Sequence, residues 1–133
     1  MRWETGGVVF VAVNVPGSNN NFGRPEYAPR MEAVFAWLDE AEAVSRERTL
    51  VVLMQADPFV GMNGYDTLLE RLRKMGAGRT GRVFLVHGDT HVYRNDEPLP
   101  GLRRLEVWGS PFVGWLRGSI TADGVAAEQG GMH

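Results

Sequence analysis

Phe84 to Arg94, "FLVHGDTHVYR", places two of the chain's three histidines and an aspartate at the end of one apolar run. Asp89 offers carboxylate oxygen and His91 imidazole nitrogen, the ligand types that hard-to-borderline divalent metals take. His87 adds a second imidazole. Gln55, at the end of another apolar run, adds an amide oxygen. Glycine at position 88 would let the backbone turn sharply enough for alternate residues to face one point. The same residues also suit a plain surface turn, with His87 hydrogen-bonded at a strand end, Asp89 capping the turn and His91 in solvent.

Whether these groups meet depends on the elements that carry them. "VVFVAVNV", Val8 to Val15, is β-branched and stops at Pro16-Gly17, as a buried strand does. "PGSNNNFGRPEYAP" is an irregular polar loop. From Pro29 to Arg48, Val34, Trp37, Leu38, Ala41 and Val44 recur at helical spacing, with most of the acidic residues off that stripe. "TLVVLMQ", Thr49 to Gln55, is a second strand. A helix from Tyr65 to Met75 carries Leu68, Leu69, Leu72 and Met75 on one face and ends at "GAG". "RVFLVH", Arg82 to His87, is a third strand. Leu102–Trp108 and Phe112–Ile120 follow as two more. In the first of them Leu102, Leu105 and Val107 are set against Arg103, Arg104 and Glu106.

The order is βαβαβ followed by two antiparallel strands: an α/β fold of about five strands and two main helices. Residues 1–120 form a single domain, and residues 121–133, low in bulk and periodicity, a flexible tail. In a largely parallel sheet the loops after the first three strands, "NVPGSNNN", "MQADPF" and "HGDTH", converge on the carboxyl edge.

Composition narrows the function. A net charge of −2 with scattered basic residues leaves no footprint for nucleic acid. The absence of cysteine excludes disulfides and thiolate metal sites and fits a cytoplasmic protein. Apolar runs are strand-sized, short of a membrane span, and "MRWETGGVVF" does not read as a signal peptide. "PGSNNNFG" has exposed amides for an anion but lacks the lysine and spacing of a P-loop. Arg24, Arg30 and Arg94 are candidate phosphate-attracting groups. No organic cofactor motif is present.

"VVLMQADPF", then an amphipathic helix, then "VFLVHGDTHVYR" and "LEVWGSPFVGWLR", resemble the C-terminal half of a calcineurin-like metallophosphoesterase. The resemblance covers Val8 to Arg117, and "HGDTH" followed by "EVWGSPF" is its most specific part. It implies half of a metallophosphoesterase sandwich. Position by position, Gln55 falls on the family's penultimate metal-binding histidine, and Gly88 to His91 fall on Gly-His-x-His, with Asp89 replacing the first histidine. The implied metal ligands are therefore Asp89, His91 and Gln55, with His87, Asp57 and Asn14 as supporting or outside candidates. The implied metal is Mn, Fe, Zn or Mg. The family's Asp-x-His, Gly-Asp and Gly-Asn-His-Asp phrases do not occur before Gln55, so no catalytic residue is assigned. The expected function is metal-assisted hydrolysis of a phosphoester, weak or absent unless a missing segment or second subunit completes the site. The alternative is a non-catalytic oligomeric module that keeps only the fold. Either way a homo-oligomer is expected, because half a sandwich leaves apolar residues such as Val8, Phe10, Val52, Phe84 and Trp108 in need of cover. Trp108, Phe112 and Trp115 form the candidate contact.

Overall fold

The computed structural model describes residues 1–79, 81–111 and 113–132. In chain order these form β1 (Arg2–Thr5), β2 (Val8–Ala12), α1 (Tyr27–Ser45), β3 (Leu50–Leu53), α2 (Asp66–Gly78), β4 (Val83–His87), β5 (Arg94–Leu99), β6 (Leu102–Glu106), β7 (Val113–Thr121) and β8 (Gly124–Met132). A single 3₁₀ turn at Asn63–Tyr65 leads into α2. The fold is mixed α/β. A six-stranded sheet runs β1-β2-β3-β4-β6-β5, and β7 and β8 form a separate hairpin. Strands β2, β3, β4 and β6 are parallel, while β1 and β5 close the edges antiparallel.

Strands β2, β3 and β4 are short runs rich in Val, Leu, Phe and Ala, residues that suit a sheet covered on both faces, whereas β6, "LRRLE", mixes leucines with charged residues. Alternation sorts them. Val9, Val11, Leu50, Val52, Val83, Leu85 and Leu102 face the helices and join Met31, Val34, Leu38, Leu68, Leu72 and Met75 in the main core. Val8, Val51 and Phe84 point the other way, with Phe10, Leu53 and Val86 half-buried beside them, and Val125 of β8 packs on this second face. Of the residues expected to need cover, Val8 and Phe84 are therefore buried and Val52 lies on the helix side. Phe10 stacks on Trp3 with ring centroids 5.2 Å apart. Trp108 is half-buried, its ring 5.2 Å from that of Tyr93.

Three strands are absent from the sequence reading, β1, β5 and β8; β1, "RWET", is a short, largely exposed edge strand held by its pairing with β2. β5, "RNDEPL", is polar and contains a proline, and such a segment serves as a strand only at a sheet edge. Its ladder shifts between Asp96 and Leu99, around Pro98. By returning antiparallel, β5 delivers β6 parallel to β4. The expected pairing of Leu102–Trp108 with Phe112–Ile120 is thus replaced by β6 with β4 and β5, and by β7 with β8. Phe112 itself lies outside the described residues. β8, "GVAAEQGGM", occupies the stretch expected to be a flexible tail; its small residues carry little pattern, and its backbone pairs with β7 along nine positions. Among the described residues, no helix is long and apolar enough to cross a membrane.

Helix α1 buries Met31, Val34, Leu38 and Ala41, and Trp37 lies at the rim of this stripe, 38% exposed. Arg71 of α2 ties the helices together through Asp39 at 2.5 Å and Glu42 at 2.8 Å. Helix α2 continues through "GAG" to Gly78. Gly76 has a packing role: a Cβ there would come within 2.6 Å of the Pro100 carbonyl oxygen in the β5–β6 turn. At Gly78 no atom lies within 4 Å of the same position. Helix propensity alone would make Gly→Ala favourable by about 1 kcal/mol at either site. Urea unfolding is therefore expected to show Gly76→Ala destabilised by about 1–3 kcal/mol through overpacking, and Gly78→Ala neutral or stabilised.

Candidate metal centre

The backbone ladder continues past the strand ends and draws the carboxyl-edge loops together. Ala56 N–H donates to the Val15 carbonyl at 3.1 Å, Gly88 N–H to that of Gln55 at 3.1 Å, and Val107 N–H to that of His87 at 3.0 Å. Alternation then decides which side chains go inward. Val83, Leu85 and His87 share the helix-facing side of β4, and His87 is paired in register with Glu106 of β6, which is paired in turn with Arg94 of β5. Asp57 enters from the loop after β3.

Asp57, His87 and Glu106 each place one potential ligand atom within 4.8 Å of the other two. They are 4%, 2% and 0% exposed, so none of them is hydrated as a surface group would be. This group could hold a metal ion. An ion about 2.0–2.2 Å from each ligand sets tetrahedral neighbours about 3.3–3.6 Å apart, so side-chain shifts of up to about 1 Å would close the site.

The imidazole carries the clearest signal. His87 Nδ1 lies 2.8 Å from the Gly88 carbonyl oxygen, which can only accept, so Nδ1 holds a proton. In the neutral ring Nε2 then presents a lone pair. That atom is buried, has no hydrogen-bond partner among the described residues, and lies 4.0 Å from Asp57 Oδ1. Two acceptors facing each other in a buried site need a cation, a proton or a bridging water between them. A ring nitrogen fixed by a carbonyl on one side and free on the other is the usual arrangement of a metal-binding histidine.

The carboxylates are held from several directions. Asp57 Oδ1 accepts from the Phe59 N–H at 2.9 Å. Glu106 accepts from the Thr90 N–H at 3.0 Å and from the Thr90 hydroxyl, and it pairs closely with Arg94. Arg104 grips Asp96 with two bonds of 2.6 and 2.8 Å, lies 5.0 Å over the Phe59 ring, and reaches to 3.7 Å from Asp57. Through these bonds the Arg104 guanidinium holds the Asp96 carboxyl below its ordinary value, and the carboxylates around Arg104 raise its own. Burial, with the charges of Asp89 and Asp57, pushes the Tyr65 hydroxyl up. Three carboxylates (Asp57, Asp96 and Glu106) share two guanidiniums (Arg94 and Arg104), an excess that favours an added cation.

The residues singled out from sequence are placed as follows. Gln55 is exposed, and its Oε1 accepts from the Gly17 N–H at 2.6 Å. Asp89 is half-buried, and its Oδ2 accepts from the Asp57 N–H at 3.0 Å. His91 is exposed, with Nδ1 2.7 Å from the Ser110 carbonyl oxygen. Asn14 is exposed, and its carbonyl accepts from Arg30 at 2.9 Å. Arg30 is also bonded to Glu26 and Asn20, and so serves to fix the loop after β2. The gathered ligand atoms thus come from His87 and Asp57, read as supporting residues, together with Glu106. Sequence reasoning put Glu106 on a polar face with Arg103 and Arg104. Strict alternation along β6 would have separated Leu102, Arg104 and Glu106 from Arg103 and Leu105, marking a buried acid beside a buried base.

The sharp turn is made by other residues than Gly88. Asp89 has φ 91° and His91 φ 64°, while Gly88 keeps a negative-φ backbone. Such conformations cost about 1–3 kcal/mol each in non-glycine residues and are held by the contacts just described. Comparison with protein-family models, with curated proteins and with solved structures gave no match.

Two outcomes follow from this geometry. A Cβ on Gly88 meets only ordinary contacts at 3.7–3.8 Å, whereas one on Gly17 would lie 3.0 Å from the Asp89 carboxylate. Thermal unfolding should show Gly88→Ala unchanged or slightly stabilised, and Gly17→Ala destabilised by about 1 kcal/mol. The second outcome concerns acid. Because the folded Asp96 carboxyl is depressed, its contribution is complete above the ordinary value of 3.8 and is lost as pH falls through the lower folded value. Stability measured on acidification below about pH 4 should fall less steeply in Asp96→Asn than in the parent chain.

Proposed function

We propose that this chain is a divalent-cation-binding α/β domain of metallophosphoesterase type, with Asp57, His87 and Glu106 as the ligands. The observation that carries this reading is the buried Nε2 of His87, without a hydrogen-bond partner among the described residues, facing Asp57 within the Asp57–His87–Glu106 group. The mixed oxygen and nitrogen donor set suits Mn, Fe or Zn, and Mg less well. The site's position supports the same reading, since the carboxyl edge of a parallel sheet is where α/β domains bind ligands. When bound, such an ion supplies Lewis acidity toward a phosphoryl oxygen. The residues around it fix the site: Gly88 sets the ring tautomer of His87, Thr90 orients Glu106, and Phe59 orients Asp57. Three protein ligands make one ion's site, and a two-ion clamp needs more. Hydrolysis by this chain alone is therefore slow, and a second subunit is the natural source of further groups. The half-buried Phe10, Leu53 and Val86, with the exposed Trp115 and Ile120 of β7, give a homo-oligomer an apolar surface.

A second reading is a non-catalytic oligomeric module. One observation favours it: both oxygens of Glu106 already have partners, so the cluster also works as a closed ion network.

Calorimetric titration with Mn²⁺ and Zn²⁺, run beside hydrolysis of an aryl phosphodiester, separates these readings. The expected result is saturable binding near one ion per chain, weakened about tenfold or more in His87→Ala and little changed in His91→Ala. Slow hydrolysis should appear only with metal. Loss of binding in His91→Ala with His87→Ala unaffected would move the site to Gln55, Asp89 and His91. No binding in any variant would leave the module.

A further inference from the structure

We propose that Arg94 is a tethered cation that closes this centre, and that a divalent ion binds by displacing its guanidinium from Glu106. The proposal rests on the reading of Asp57, His87 and Glu106 as a cation site. One nitrogen makes all the relevant contacts: Arg94 Nη1 pairs closely with Glu106 Oε1, donates to Thr90 Oγ1 at 2.8 Å, and lies 4.0 Å from Asp57 Oδ2. It therefore faces both carboxylates whose oxygens gather with His87 Nε2. An ion bonded to those oxygens at about 2.0–2.2 Å would sit within contact distance of that nitrogen. A guanidinium stays charged across the usable pH range, so it must leave rather than lose its proton.

Arg104, the other basic neighbour, is not free to do this. Its side chain is 8% exposed, it is bonded twice to Asp96, and it stacks on Phe59. The Arg94 side chain is 36% exposed and rises from an edge strand, so solvent is open to it. The two arginines thus divide the work. Arg104 neutralises the cluster permanently, whereas Arg94 does so exchangeably and sets how tightly a metal binds.

The test is calorimetric titration of the full chain with Mn²⁺ in the parent, Arg94→Met and Arg94→Lys, each checked for folding by circular dichroism. Arg94→Met removes the competing charge and is expected to bind about tenfold more tightly or better, within the usual range of coupling between two binding events. Arg94→Lys keeps the charge and should restore affinity to near the parent value. Binding by Arg94→Met alone, with none by the parent, would also support the proposal. Parent binding that is lost in His87→Ala but not tightened in Arg94→Met would overturn it and leave the cation site standing. No binding in the parent or either Arg94 variant would remove the cation site, and this proposal with it. Should Arg94→Met fail to fold, the parent decides. Titration of ¹⁵N-labelled chain with Zn²⁺ should move the Arg94 side-chain N–H resonance in step with saturation, and an unmoved resonance at saturation overturns the proposal.

Discussion

The parallel pairing of β4 with β6 is the constraint on which the rest of the site depends. It sets His87 directly opposite Glu106 on the helix-facing side of the sheet, where neither side chain reaches bulk water. Parallel strands need a connection that returns the chain to its starting edge, and here β5 is that connection. Because β5 lies antiparallel to β6, it also brings Arg94 into register with Glu106. One topological fact therefore supplies an imidazole, a carboxylate and the cation that neutralises it. A shift of one residue in this register would put His87 and Glu106 on opposite faces of the sheet.

Burying carboxylates in this way is costly, at several kcal/mol for each ion left unpaired. The surrounding structure is arranged around that cost. Arg104 links Asp96 to Asp57, Thr90 and Arg94 satisfy Glu106, and the Asp57 loop closes on itself through Phe59. Asp89 and His91 keep unfavourable backbone angles where their partners hold them. Among the described residues, buried Nε2 of His87 is left without a hydrogen-bond partner, and it faces a carboxylate. A cation, a proton or a bridging water between the two would complete the network.

The two faces of the sheet are covered unequally. Helices α1 and α2 bury the face that carries the site, with Arg71 and the close approach at Gly76 fixing their positions. The other face has the β7–β8 hairpin, through Val125, and leaves Phe10, Leu53 and Val86 half-buried. The residues that could hold a metal ion thus lie on the helix-covered face, and the half-buried apolar residues lie on the other.

The sequence by itself determined the α/β class, the βαβαβ order and the gathering of polar loops at one edge. Those features rest on local patterns: β-branched runs such as "LVVL" and "VFLVH", and a helical stripe through Val34, Leu38 and Ala41. It also singled out His87 and Asp57, though in lesser roles than the geometry gives them. Only the tertiary structure decided that β1, β5 and β8 are strands, since "RWET", "RNDEPL" and "GVAAEQGGM" owe their conformation to backbone pairing with a neighbour rather than to apolar periodicity. It alone placed Glu106 in the interior. A charged residue reads as surface in a linear pattern, and it becomes a buried group here because the adjacent strand and two arginines, brought in from elsewhere in the fold, make that burial affordable.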